Sequence, residues 1–302
     1  MYEKILLPLD GSDTAQIAVP YAERLSGGLS SQLSVIHVRE PHEDKYVNMH
    51  RLYLEKITQA IKRGVKNYAD KAGKRKIMVE SAILTGDPAQ EIVDYADREN
   101  IDLIVMSTHG RTGITRWALG SVADRVLRAT RKPLALIRVK NIQADTPSKT
   151  LISRILVTLD GSKQSEIIIP YVEELASRIK AEVVLLHVLE PSYYIFTVGG
   201  FNYDAYSERQ RKSMRIFYKE YLEGIANNFR KREIATKCQV MFGVVAEVII
   251  DFADKIHADF VAMSTHGRSG ISRWVLGSVV ERVLRAGNTP LFLVREAGAK
   301  TE

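Results

Sequence analysis

Two stretches of this chain carry the same small and charged residues at the same spacing. Thr108 to Val139 reads THGRTGITRWALGSVADRVLRATRKPLALIRV, and Thr265 to Glu296 reads THGRSGISRWVLGSVVERVLRAGNTPLFLVRE. Gly110, Arg111, Gly113, Gly120 and Ser121 recur as Gly267, Arg268, Gly270, Gly277 and Ser278. A repeated helix could keep its apolar face with any mix of Leu, Ile and Val. Glycines, an arginine and a serine held at fixed offsets point instead to a loop whose backbone shape matters, and such a loop suits phosphate. Glycine lets backbone N–H groups approach oxygens with no Cβ in the way. Gly120-Ser121 opens a helix, so free N–H groups and the positive dipole end meet the anion. Arg111 adds a cation and Ser121 a hydroxyl donor. His109 and His266 lie in the same loops, where they could touch phosphate or serve the backbone.

A second motif also recurs. LDGS at Leu9–Ser12 returns at Leu159–Ser162. Asp10 does not favour phosphate; it suits a sugar hydroxyl or a base amino group as an acceptor, and it reads as the only carboxylate near the loop. A plainer reading also fits one copy alone: Gly120 lets a helix pack close to the sheet, and Ser121 is its N-cap. Recurrence of the whole loop favours the binding reading. The chain has no GxxxxGK[ST], and no GxGxxG follows the first strand, so neither a Walker loop nor a dinucleotide fingerprint is present.

The elements that must position these loops follow from the hydrophobic pattern. Lys4–Leu9 is a short continuous apolar run, as expected of a strand buried on both faces of a parallel sheet. Ser12 or Asp13 caps the helix after it, and Gly27-Gly28 is expected to stop that helix. Leu33–Val38 is a second strand, and about Tyr46 to Ala72 a long amphipathic helix. Ile77–Leu84 is a third strand, followed by a helix opened by Asp87-Pro88. Leu103–Met106 is a fourth strand. The repeated loop, a helix from about Ser121 to Arg131 and a last strand at Pro133–Val139 complete the unit. Alternation of strand and helix predicts an α/β fold with a doubly wound parallel sheet and helices on both faces. In such a sheet ligands bind beyond the carboxyl ends of the strands, where the winding reverses. His37 and His187 sit on core-like runs and read as structural; Trp117 and Trp274 read as packing residues.

The whole unit repeats. Leu9 and Leu159 lie 150 apart, Gly120 and Gly277 157 apart, so the copies differ by a few residues between about 42 and 85. A period this long marks a domain and not a solenoid repeat. Residues 1–141 and 152–297 are read as two homologous domains, joined by a polar linker at 142–151. The copies differ most over Ser192–Arg232, where Tyr193, Tyr194, Phe196, Phe201, Tyr203 and Tyr206 cluster. That stretch reads as a loop and helix over the sheet edge, or as a lid or partner surface. A net charge of +7 spread among acids, with no basic stripe, argues against a nucleic-acid partner. One cysteine, Cys238, excludes an internal disulfide and fits a reducing compartment. No run reads as a signal peptide or a bilayer span, so a soluble, cytoplasmic protein with no membrane partner is expected.

These residues resemble the universal stress protein family, in its ATP-binding branch. That branch is marked by Gly, two residues, Gly, nine residues, then Gly with Ser or Thr. Here Ser107-Thr108-His109-Gly110 is followed after nine residues by Gly120-Ser121, and Ser264-Thr265-His266-Gly267 by Gly277-Ser278. Both copies depart from the motif by placing serine at the first glycine, and the serine hydroxyl could itself donate. The resemblance covers nearly the whole chain and implies two tandem five-stranded sheets of order 3-2-1-4-5. It further implies that Pro8, Leu9, Asp10 and Val38 line an adenine and ribose pocket. Ser107, Thr108, His109, Gly110, Arg111, Gly113, Gly120, Ser121 and Val122 would hold the phosphates. The second copy would use Thr158, Leu159, Asp160 and Val188 for the base and sugar. Ser264, Thr265, His266, Gly267, Arg268, Gly270, Gly277, Ser278 and Val279 would take its phosphates. Thr158 replaces Pro8, so the two sites could differ in affinity.

The implied ligand is ATP or AMP, with magnesium held by phosphate oxygens more than by protein ligands. Family members commonly pair through their last strand. Leu134–Val139 and Leu291–Val294 would otherwise be bare apolar edges, so the halves are expected to pair there as an intramolecular pseudo-two-fold dimer; a further homodimer stays open. Three functions fit these features: a nucleotide-binding regulatory protein of stress response, a slow ATPase, and an interaction scaffold that binds no nucleotide. No general base can be assigned beside the loop, which counts against turnover.

Overall fold

A computed structural model of the chain describes residues 1–71, 73, 77–109, 119–138, 152–190, 196–198, 201–203, 208–265 and 276–295. The first half runs β1 (Lys4–Pro8), α1 (Asp13–Gln16), α2 (Val19–Leu29), β2 (Gln32–Arg39), a 3-10 turn (Pro41–Tyr46), α3 (Val47–Lys71), β3 (Val79–Thr85), α4 (Pro88–Arg98), β4 (Leu103–Ser107), α5 (Ser121–Ala129) and β5 (Leu134–Ile137). The second half runs β6 (Arg154–Thr158), α6 (Lys163–Glu166), α7 (Ile168–Ile179), β7 (Glu182–Leu189), β8 (Phe196–Val198), β9 (Phe201–Tyr203), α8 (Glu208–Lys231), β10 (Thr236–Phe242), α9 (Val245–Lys255), β11 (Phe260–Ser264), α10 (Ser278–Ala286) and β12 (Leu291–Val294).

Ten strands form one sheet in the order β10-β7-β6-β11-β12-β5-β4-β1-β2-β3. Each half therefore has the expected order 3-2-1-4-5, with every pairing inside a half parallel. The centre is the exception: β12 and β5 are antiparallel, with Leu291 opposite Leu136, Phe292 opposite Ala135 and Leu293 opposite Leu134. The two last strands thus cover each other's open edge, as an unpaired apolar strand requires. Side-chain hydrogen bonds to backbone carbonyls reinforce the seam across the halves. Tyr2 Oη donates to the Tyr171 carbonyl at 2.9 Å, Arg178 to the carbonyls of Met1 and Leu29, and Arg138 to that of Leu284.

The strands read as apolar runs because both faces are buried. Ile5 and Leu7 join one core, with Ala22 and Leu25 of α2, Leu54 and Ile61 of α3, and their counterparts in α7 and α8. Leu6 joins the other, with Ile92 of α4, Val126 of α5 and the residues of α9 and α10. Each core runs through both halves.

Gly27-Gly28 does not stop the first helix. α2 continues through both glycines to Leu29 and ends at Ser30, whose φ is 59°. A Cβ on Gly27 would lie 2.5 Å from the Cβ of Tyr68 on α3, and one on Gly28 3.2 Å from Ile179 on α7. The glycines admit close helix contacts instead, and tertiary packing outweighs their poor helix propensity. The helix after β1 is also broken in two, with α1 and α2 meeting at Ile17-Ala18. Within Ser192–Arg232, β8 and β9 pair antiparallel, and α8 packs on β10 and β7. The side chains of that aromatic cluster, Trp117, Trp274 and the expected linker lie outside the described residues.

Candidate functional site

The carboxyl ends of β1 and β4, neighbours in the sheet, open into a cavity of about 250 Å³. Its wall includes Pro8, Leu9, Asp10 and Val38 on one side, and Ser107, Thr108, His109, Gly120, Ser121 and Val122 on the other. Ten of the first-copy residues singled out from sequence therefore meet around one space. Gly110, Arg111 and Gly113 lie outside the described residues, as do His266, Gly267, Arg268 and Gly270 of the second copy.

The Asp10 turn is built from its own sequence. Gly11 has φ 90°, a left-handed conformation that disfavours a side chain. Asp10 Oδ1 accepts from the Ser12 backbone N–H at 2.9 Å and the Ser12 hydroxyl at 2.6 Å. Ser12 Oγ in turn accepts from Ala15 N and caps α1. The second half repeats this with Asp160, Gly161 (φ 85°) and Ser162, at the same two distances. His37 Nδ1 lies 2.8 Å from the Leu9 carbonyl, and His187 Nδ1 is 2.8 Å from that of Leu159. Both histidines are buried, and both hold the strand end that precedes the turn. Behind His37 stands His50, Nε2 to Nδ1 at 2.8 Å; behind His187 the ring of Tyr218 is stacked, with centroids 3.7 Å apart.

Across the cavity, the repeated loop is pinched shut at its base. The Gly120 N–H donates to the Thr108 carbonyl at 2.8 Å, and the Gly277 N–H to the Thr265 carbonyl at 2.9 Å. Thr108 and Thr265 are anchored through their own N–H groups to Ile137 and Val294 of the last strands. Gly120 has φ −60° and ψ 146°, which any residue adopts, so backbone freedom is not why glycine stands there. A Cβ would sit 3.0 Å from the Thr108 carbonyl oxygen and 3.4 Å from His109 Cα. The requirement is close approach.

Ser121 is not the N-cap: it is the first helical residue of α5, and Gly120 is the cap. Since Gly120 has no side chain, the first-turn amides of α5 receive no side-chain cap from it, and the positive dipole end faces the cavity. Ser278 and its cap Gly277 stand likewise at the start of α10. The Ser107 hydroxyl lies at the cavity wall and is engaged with the loop itself. It donates to the His109 carbonyl at 2.8 Å and accepts from the His109 N–H at 3.2 Å, so it shapes the loop. His109 Nδ1 lies 2.9 Å from Thr108 Oγ1, while its Nε2 is buried with no partner among the described residues.

Asp10 is not the only carboxylate near the loop. Glu40 and Glu43 also line the cavity, at the β2 end. The 3-10 turn after β2 carries Glu43 there, and no periodic pattern announces such a turn. Asp87, the N-cap of α4, bonds Arg125 of α5 at 2.7 Å, and that guanidinium, with the Gln90 N–H, holds its carboxyl below the usual range. The pair ties together the two helices whose Pro88, Ile92 and Ala123 also line the cavity. Among the described residues no group of three or more His, Cys, Asp or Glu could hold a metal ion. No described helix is long and apolar enough to cross a membrane.

The sequence pattern of the universal stress protein family matches this chain twice, over residues 1–138 and 152–295. A universal stress protein of Methanocaldococcus jannaschii is 33% identical over 145 residues, covering 46% of this chain and 83% of that protein. A universal stress protein of Synechocystis sp. is 24% identical over 321 residues, covering 97% of this chain and 100% of its own. The crystal structure of a universal stress protein from Archaeoglobus fulgidus superposes with a TM-score of 0.69 at 19% identity, over 98% of this chain and 99% of that one, a likeness of fold. Two matches that span most of the chain, on one doubly wound fold repeated about an antiparallel seam, place this protein in the universal stress protein family, in tandem form.

Proposed function

We propose that this chain binds an adenine nucleotide, ATP or AMP, and acts as a regulatory protein of stress response. One observation carries the proposal. A helix start without a side-chain cap and an acidic turn face each other across one cavity, at the carboxyl ends of neighbouring parallel strands. The fit is supported by the space that a Cβ on Gly120 would fill, and by the buried Nε2 of His109, which an acceptor oxygen could satisfy.

Under this proposal the amides of Ser121, Val122 and Ala123 hold phosphate oxygens, as helix starts do. By the family resemblance Gly110, Arg111 and Gly113, which lie outside the described residues, would add to that end. Asp10 accepts from the sugar, and Pro8, Leu9 and Val38 bound the base and ribose. Thr158, Leu159, Asp160 and Val188 take those places in the second half, with Ser264, Thr265, Gly277, Ser278 and Val279 at its phosphate end. Magnesium, where it accompanies ATP, is held by phosphate oxygens.

The test is direct. Purified protein is soaked with ATP, desalted and denatured, and the supernatant is run on an ion-exchange column. ATP or AMP in amounts comparable to the chain is expected. A supernatant free of nucleotide would overturn the proposal and leave the scaffold reading.

A further inference from the structure

We infer that Glu43 selects the base: its carboxylate reads the exocyclic amino group of adenine and turns away purines that carry a carbonyl there. The inference rests on the nucleotide proposal above and adds what that proposal leaves open, namely how one purine is told from another.

The order of the strands sets the direction of the ligand. β2, β1 and β4 lie side by side, and each lends the cavity a different chemistry at its carboxyl end. Beyond β4 stands the positive end of α5. Beyond β1 is the Asp10 turn. Beyond β2, on the far side of β1 from α5, are Val38, Glu40 and Glu43. A nucleotide whose phosphates lie on α5 and whose sugar lies by Asp10 has its base at the β2 end. There the wall offers an apolar side chain, Val38, and anionic acceptors. Carboxylates next to a base favour edges that donate and penalise edges that accept, since two acceptors facing each other in a partly buried space leave both unpaired.

Of the two acids, Glu43 is the one held in place. Its Oε2 accepts from the backbone N–H of Glu40 at 3.0 Å, closing the 3-10 turn, and the residue is half-buried. The Glu40 carboxylate is exposed and sits 3.3 Å from His42 Nδ1. A fixed acceptor discriminates between bases better than a mobile one, because less ordering is needed at binding. In the second copy Glu190 matches Glu40, but Tyr193 stands at the Glu43 offset, so the discrimination belongs to the first half.

The test compares ATP with ITP, which carries a carbonyl in place of the 6-amino group. Both are titrated by calorimetry into a chain carrying Gly277→Val, so that first-half binding is read, with and without Glu43→Gln. A glutamine keeps an oxygen for the Glu40 N–H and can turn its amide to donate. The expected result is ITP at least tenfold weaker than ATP, and a ratio within about threefold in Glu43→Gln, at an unchanged melting temperature. ATP and ITP bound alike, or an unchanged ratio in Glu43→Gln, would overturn the inference while leaving a nucleotide site. Absence of ATP binding even in the unsubstituted chain would remove the nucleotide proposal, and this inference with it.

Discussion

The Gly120 N–H donates to the carbonyl of Thr108 at 2.8 Å, and the same oxygen would lie 3.0 Å from any Cβ placed on Gly120. One contact therefore closes the repeated loop and crowds any side chain placed there. The oxygen belongs to backbone and cannot rotate away, so a branched residue is expected to strain the contact and shift the start of α5. Overpacking of this kind typically costs about 1–3 kcal/mol. We expect Gly120→Val combined with Gly277→Val to keep a cooperative melt, lowered by several degrees, while ATP affinity falls at least thirtyfold. Calorimetry alongside thermal denaturation checks this, and wild-type affinity in the double variant would show that the close approach has no part in binding.

Gly27 sets helix propensity against packing. Replacing it with alanine gains about 1 kcal/mol of intrinsic helix preference. The new methyl, however, would meet Tyr68 Cβ at 2.5 Å, an atom fixed to the α3 backbone. Packing should win, and Gly27→Ala is expected to be destabilised by about 1–2 kcal/mol in urea denaturation. A stabilised variant would mean that α2 and α3 separate easily.

Phe292 lies at the seam, opposite Ala135, fully buried and edge-on to Tyr2 and Phe260. Truncating a buried phenylalanine typically costs about 3–5 kcal/mol. Because both cores run through the whole sheet, Phe292→Ala should lower the unfolding transition of the chain as one unit. Two separated transitions in calorimetric scanning would show instead that the halves melt independently.

Glu23 gives stability a pH dependence. Burial raises its carboxyl to about 7, with Arg24 opposing in part, and the group rests against Gly64 of α3. The folded chain thus holds a proton there that the unfolded chain releases near the ordinary carboxylate range. Between that range and about pH 7 the native state binds more protons, so this group lowers stability as pH rises. Glu23→Gln should remove that part of the slope and make the protein more stable than wild type at pH 8, with little change at pH 4. Denaturant melts at the two pH values decide it; parallel curves for the two proteins would refute the assignment.

Much of the fold was legible because its strands are buried twice over. Ile5 and Leu7 face one core and Leu6 the other, so β1 had to be continuously apolar, and such runs mark a parallel sheet. The seam was expected from the family resemblance, and the need of an apolar last strand for a partner agreed with it. What escaped was settled by contacts distant in sequence. Gly27-Gly28 reads locally as a helix stop, and only Tyr68 and Ile179 reveal why the helix continues. Sequence gives no sign that the Ser107 hydroxyl bonds the His109 carbonyl two residues on and so shapes the loop. Glu43 carried no signal, since a 3-10 turn with no periodicity brings it to the cavity.

Isothermal titration of the purified chain with ATP, with and without magnesium, tests the nucleotide assignment most directly. Saturable heat with a micromolar dissociation constant and a raised melting temperature, both lost in Gly120→Val with Gly277→Val, is the result expected. No heat and no thermal shift at millimolar ATP would contradict it and leave a tandem fold whose paired loops serve some other end.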